Sequence, residues 1–225
     1  MAATDVDIEQ EVRLPVDGAT LVGDLARPAA ARGVVLFAHG SGSSRHSPRN
    51  RAVARVLRSS GLATLLIDLL TRDEEAEDAA TGHLRFDIAL LARRLVVVTD
   101  WLHEEPATGR LPVGYFGAST GGGAALVAAA ERSEVFAVVS RGGRPDLAGP
   151  ALPRVSAPTL LIVGGDDVPV IAMNRAAAAR MRAEVRIEIV PGASHLFEEP
   201  GALERVAALA ARWFEDRLPP SADAS

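Results

Sequence analysis

The stretch Gly117-Ala118-Ser119-Thr120-Gly121 lies between a short apolar run, Val113-Gly114-Tyr115-Phe116, and an alanine-rich segment over 122–132 with a helical pattern. The order predicts a buried strand, a sharp turn and a helix. Glycine two positions before and two after the serine removes the side chains that would collide across such a turn. The turn holds its serine in a strained conformation that presents the hydroxyl. The next backbone N–H, that of Thr120, lies at a helix N-terminus and can face a developing negative charge.

The rest of the chain repeats the strand-then-helix theme. Val6, Ile8, Val12 and Leu14 form an alternating strand, Asp17-Gly18 turns, and 21–25 returns. This predicts a half-exposed antiparallel hairpin. Continuous apolar runs then recur at 34–38, 62–67, 113–116, 135–139 and 159–163, as in parallel strands covered on both faces. A final strand over 185–190 alternates apolar and charged residues, which marks a sheet edge. Helices are expected over 51–60, 122–132, 170–182 and 203–217. One long helix is expected to carry the stripe Leu84, Ile88, Leu91, Leu95, Val98 and Leu102. Eight strands alternating with helices predict a mostly parallel, right-handed α/β sheet with no connection long enough for a cap domain. The expected organisation is one domain over 1–217 and a disordered tail over 218–225.

Composition excludes several chemistries. With 225 residues, 48% of them hydrophobic, the chain can bury a sizeable core. A net charge of −5 without a basic cluster speaks against nucleic acid as a partner. No apolar run reaches the length of a membrane span, and the N-terminus lacks the layout of a signal peptide. Cysteine is absent, which removes thiolate nucleophiles and cysteine metal sites and fits a cytoplasmic location. Every one of the 24 basic residues is arginine. Schiff-base catalysis, a Ser-Lys dyad and a P-loop lysine are therefore ruled out in this chain.

A serine hydroxyl needs a base to take its proton, and the base needs an acid to hold it in one tautomer. Catalytic groups on open α/β sheets sit at the carboxyl ends of strands. Gly164-Gly165-Asp166-Asp167 follows the strand at 159–163, and Pro191-Gly192-Ala193-Ser194-His195 follows the strand at 185–190. His195 is the expected base. Asp167, Asp166 and Asp146 are the candidates for the acid. A second oxyanion donor is expected in Phe37-Ala38-His39-Gly40-Ser41-Gly42, where the Ser41 N–H joins that of Thr120. His39 is expected to shape that loop. The expected chemistry needs no cofactor.

Other charged groups read as surface. His83 and Asp87, four apart, are two ligands at most, and no metal site is expected. The acidic run 73–78 is expected to be a solvated loop near the mouth of the site. Arg45, Arg49, Arg72, Arg141 and Arg144 fall on the same edge of the sheet, where one or two could fork onto a substrate carboxylate.

The chain resembles an α/β-hydrolase, and within that fold the dienelactone-hydrolase-like group. The likeness rests on Phe37 to Gly42, the helix entered through Leu84-Arg85-Phe86-Asp87, the Ser119 turn, Gly164-Gly165-Asp166-Asp167-Val168-Pro169-Val170 and His195. Members commonly show glycine, two residues, aspartate, two residues and valine after the seventh strand. Gly164, Asp167 and Val170 match, so the resemblance implies Asp167 as the acid. It implies a nucleophile at Ser119, where dienelactone hydrolases proper carry cysteine. Relatives also occur fused to phosphoribosyltransferases, but no phosphate-cradling motif stands in this chain. The expected function is cleavage of a small ester, lactone or thioester through an acyl-enzyme on Ser119. Acyl or perhydrolytic transfer and ligand binding without catalysis are the alternatives.

Overall fold

The structure, a computed structural model, describes residues 6–220, with side chains from residue 8. The hairpin forms as expected: β1 (Val6–Val16) and β2 (Ala19–Pro28) pair antiparallel around Asp17-Gly18. The elements that follow are β3 (Val34–Ala38), α1 (Pro48–Ser59), β4 (Ala63–Ile67), α2 (Arg72–Thr81) and α3 (Ile88–Glu104). Then come β5 (Val113–Ala118), α4 (Thr120–Glu131), β6 (Val138–Arg141), β7 (Thr159–Gly164), α5 (Val168–Ala178), β8 (Val185–Val190) and α6 (Ala202–Glu215).

The eight strands make one sheet in the order β1-β2-β4-β3-β5-β6-β7-β8, parallel from β4 onward. β8 is an edge, as its alternating pattern predicts. Period-two alternation sends the strands' side chains into two cores. Leu36, Leu65, Tyr115 and Val138 pack with α3 and α4 on one face. Phe37, Leu66, Phe116, Val139 and Ile162 pack with α1 and α6 on the other. Phe37 and Phe116, neighbours in register, stack at 4.8 Å between ring centroids.

Four expectations need correction. The acidic run 73–78 is not a loop but the body of α2. Thr71 and Glu74 form a reciprocal capping box, the Thr71 N–H donating to Glu74 at 2.8 Å and the Glu74 N–H to Thr71 Oγ1 at 3.2 Å. Arg94 of α3, buried, then forks onto the same Glu74 carboxylate. The pairing with Arg94 holds the Glu74 carboxyl below its ordinary range, even though partial burial opposes it. The legible signal was the Thr-x-x-Glu spacing, which outweighs the polarity of the run. Thr71→Ala is expected to cost about 1 kcal/mol, read as a lower midpoint in urea unfolding.

The long helix begins later than its apolar stripe. Leu84 lies on a separate 3₁₀ turn, Leu84–Phe86, and Asp87 caps α3 through the Leu90 N–H at 2.9 Å. His83 and Asp87 therefore flank a break rather than share a helix face. β6 also begins three residues later than expected, at Val138, although the Phe136 N–H already donates to the Val113 carbonyl and the Ala137 carbonyl accepts from Tyr115, both at 3.0 Å. Leu218, expected to open the tail, packs against the α6 core, while 221–225 lie outside the described residues.

Candidate active site

Ser119 stands between β5 and α4 at φ 49° and ψ −121°, a region that non-glycine residues rarely occupy. The strain is held in place by backbone bonds. The Ser119 N–H donates to the Arg141 carbonyl at 3.2 Å, and the Ser119 carbonyl accepts from Gly122 and Arg144, both at 3.0 Å. Gly121 lets this turn seat on the end of β3: a Cβ there would lie 2.2 Å from the Ala38 carbonyl oxygen and 2.6 Å from that of His39. Neither contact can yield without moving the sheet. Gly121→Ala is expected to cost about 3 kcal/mol, roughly 10 °C in the unfolding midpoint by calorimetry.

Asp167 and His195 come together. His195 Nδ1 and Asp167 Oδ2 are 2.7 Å apart, so the carboxylate fixes the tautomer with the proton on Nδ1 and leaves Nε2 free to accept. Their loops are laced by backbone bonds. Gly165 N–H donates to Val190 at 2.8 Å and Asp166 N–H to Ala193 at 3.0 Å. At Gly164 a Cβ would sit 2.4 Å from the Ala193 carbonyl oxygen, so only glycine lets the β7 loop approach the β8 loop this closely.

The three candidate aspartates have different partners. Asp166 has its amide committed to Ala193 and its side chain in solvent. Asp167 occupies the N-cap position of α5, yet its side chain makes no cap bond. The carboxylate turns to His195 instead. Asp146, on the 3₁₀ segment Pro145–Arg154, is held bidentately by Arg144 at 2.8 and 2.7 Å.

Ser119 and His195 stand at the same carboxyl edge of the sheet, and His195 packs close to the end of β6. A Cβ on Gly142, the residue after that strand, would fall 3.0 Å from the His195 carbonyl oxygen and 3.6 Å from its Cε1. Among the described residues no hydrogen bond joins the Ser119 hydroxyl to the imidazole. Such contacts often tighten only when substrate is bound. The His195 side chain keeps 39% of its surface exposed, so the site is reached directly from solvent.

The β3 loop closes the other side. Gly40 lies against Ser119, where a Cβ would stand 3.1 Å from that of the serine. Thr120 is buried at the start of α4, and its N–H is one of the four that a helix leaves unpaired. Ser41 is exposed at the lip of a cleft of about 570 Å³. Gly40 and Ser41 line this cleft with Leu70, Leu91, Glu75 and Arg85, while Ser119 is outside its lining and meets it through Gly40. His39 takes the structural role expected of it. Its Nε2 accepts the Leu69 N–H at 3.0 Å, which leaves Nδ1 to donate to the Gly40 carbonyl at 3.0 Å. The imidazole thus ties the loop after β3 to the loop after β4.

The five arginines on this edge separate by partner. Arg45 is a clamp: its amide bonds Asp68 at 2.6 Å and its guanidinium holds Asp68, Asp24 and Glu11. Arg49 pairs with Glu198 at 3.1 Å, Arg144 with Asp146, and Arg72 is exposed. Arg141 alone is buried with an unsatisfied Nη1. No group of three or more His, Cys, Asp or Glu residues suited to a metal occurs among the described residues. No helix among them is long and apolar enough to cross a membrane.

Comparison with known proteins agrees with this architecture. A dienelactone hydrolase from Anabaena variabilis superposes with a TM-score of 0.92 at 65% identity, covering 94% of this chain and 99% of that one. Est1E from Butyrivibrio proteoclasticus shares the fold at a TM-score of 0.77 and 16% identity, over 92% and 98% of the two chains. Two proteins from strains of Mycobacterium tuberculosis, named as candidate phosphoribosyl transferases, are 58% identical over 219 residues. That match covers 96% of this chain and 48% of theirs, so the chain spans about half the length of the curated relatives it matches. The family model described as "Dienelactone hydrolase family" matches residues 21–218, and with the α/β-hydrolase sheet and its strained Ser119 turn the chain belongs to that family.

Proposed function

We propose that the chain is a serine hydrolase that cleaves a small ester, lactone or thioester through an acyl-enzyme on Ser119. The observation that carries the reading is the 2.7 Å Asp167–His195 bond at the ends of β7 and β8, beside a serine held at φ 49°. Ser119 Oγ attacks the substrate carbonyl while His195 Nε2 takes its proton. The oxyanion that forms accepts from the Thr120 and Ser41 N–H groups. His195 then returns the proton to the leaving oxygen or sulfur as the carbonyl bond to it breaks. A water repeats the sequence on the acyl-enzyme, releasing the acid and restoring Ser119. Asp167 stays ionised and stabilises the imidazolium between the two transfers.

Each step uses only this chain's own groups and a small acyl substrate. The direct access at His195 favours short or flexible acyl groups. The phosphoribosyl transfer named for the Mycobacterium proteins belongs to chains about twice as long. It is not carried to this chain, which matches 48% of their length.

The test is a panel of p-nitrophenyl esters, a lactone and a thioester, run beside fluorophosphonate labelling. Turnover with one label at Ser119 is the expected result. No turnover on any member, together with an unlabelled Ser119, would overturn the proposal. Product analysis with added alcohol or peroxide separates hydrolysis from acyl or perhydrolytic transfer.

A further inference from the structure

Arg141 is the last residue of β6, and its backbone carbonyl anchors the Ser119 amide at 3.2 Å. The residue after it, Gly142, lies near His195: a Cβ there would fall 3.0 Å from the His195 carbonyl oxygen. Alternation along β6 puts the Arg141 side chain on the same face as Val139, toward α1 and α6. The residue is 8% exposed, and its Nη1 is buried with no hydrogen-bond partner.

The enclosed guanidiniums of Arg94 and Arg45 carry counter-charges, although the Arg94 Nε is itself without a partner. Arg94 forks onto Glu74 and the Leu69 carbonyl, and Arg45 holds three carboxylates. Among the described residues Arg141 has no carboxylate, no carbonyl and no ion pair. Burial is the largest influence on it, and the one charge that moves it further is a second cation, Arg49; together they bring its pKa down to about 10. It is therefore still protonated at neutral pH. Arg49 in turn lines the cleft beside Ser41. A buried, unpaired cation facing another cation is a poor structural element, since desolvation goes uncompensated. An anion would supply the missing partner.

We propose that Arg141 is a specificity-determining residue that binds an anionic group, carboxylate or phosphate, carried by the substrate. Arg141 is in register with Ala118, the residue before Ser119, so the anion would bind at the same edge of the sheet as the nucleophile. This inference rests on Ser119 being the nucleophile, but its test does not depend on that alone.

Two measurements are made on wild type, Arg141→Met and Arg141→Lys. The first compares kcat/KM on p-nitrophenyl butyrate, the p-nitrophenyl monoester of glutarate and p-nitrophenyl 3-phosphonopropionate. Arg141→Met is expected to lose roughly 10- to 100-fold on one or both anionic esters while butyrate changes little. Arg141→Lys is expected to recover part of the loss. The second measurement is thermal stabilisation by free glutarate or inorganic phosphate, expected for wild type and absent in Arg141→Met. The anion that stabilises identifies carboxylate or phosphate as the source.

Arg141→Met is also expected to unfold no earlier than wild type, because it removes an uncompensated charge. Equal losses on neutral and anionic esters, or stabilisation by anions that persists in Arg141→Met, would overturn the proposal. So would the lack of any anion effect in wild type. If wild type cleaves no ester and Ser119 resists labelling, the hydrolase reading fails. The stabilisation experiment then still decides whether Arg141 binds an anion.

Discussion

Ser119→Ala is expected to lower turnover by about 10⁴-fold or more, with substrate binding largely retained. Removing the hydroxyl removes the nucleophile of the strained turn, and the chain contains no cysteine or lysine that could take its place. Residual catalysis would come from the oxyanion donors and from positioning. Alanine at this position keeps the strained backbone, since it too has a Cβ at φ 49°. Ser119→Gly should behave differently. Glycine accepts this conformation without penalty, so the variant is expected to be equally inactive yet about 1–2 kcal/mol more stable. The pair separates strain from chemistry: kinetics on the ester panel and calorimetry on the same preparations read them independently. A Ser119→Ala enzyme with most of its activity would show that the elbow serves only as a turn.

Asp167→Asn is expected to lower kcat by about 10³- to 10⁴-fold with the fold intact. The amide preserves the shape but cannot stabilise an imidazolium, and its NH₂ can present a donor where His195 needs an acceptor. The ring then favours the tautomer with the proton on Nε2, which cannot take one from Ser119. Asp166→Asn is the matched control. Its side chain lies in solvent and only its amide is used, so activity should stay near wild type. A reversal of these two results would move the acid to Asp166.

The sequence carried the sheet well. Continuous apolar runs located the parallel strands because a strand buried on both faces has no polar side to interrupt it. The alternating pattern of 185–190 located the edge for the converse reason. Gly117-Ala118-Ser119-Thr120-Gly121 located the elbow, since close backbone approach demands glycine at specific offsets. The acidic run 73–78 was misread because polarity reports exposure and not conformation. Its helix is set by two hydrogen bonds between Thr71 and Glu74 and by Arg94, which arrives from another element. The start of β6 differs from the apolar run because Val135 to Ala137 are as apolar as the strand they precede.

The choice among three aspartates lay beyond spacing alone. It turns on where a carboxylate points, and that follows from which neighbouring groups are already engaged. Arg144 takes Asp146, solvent takes Asp166, and Asp167 leaves its N-cap position uncapped to reach His195. The arginines followed the same rule. Five looked alike in the chain, and the partners that fix Arg45, Arg49 and Arg144 come from residues far apart in sequence or from the path of a loop. The sequence determined the fold, the strained serine and the order of the chemical groups, all of which depend on local residue type. The tertiary structure alone decided which charge each group meets, because a counter-charge is a matter of distance in space. By that measure Arg141, an ordinary arginine in the chain, becomes a buried cation without a partner beside Ser119.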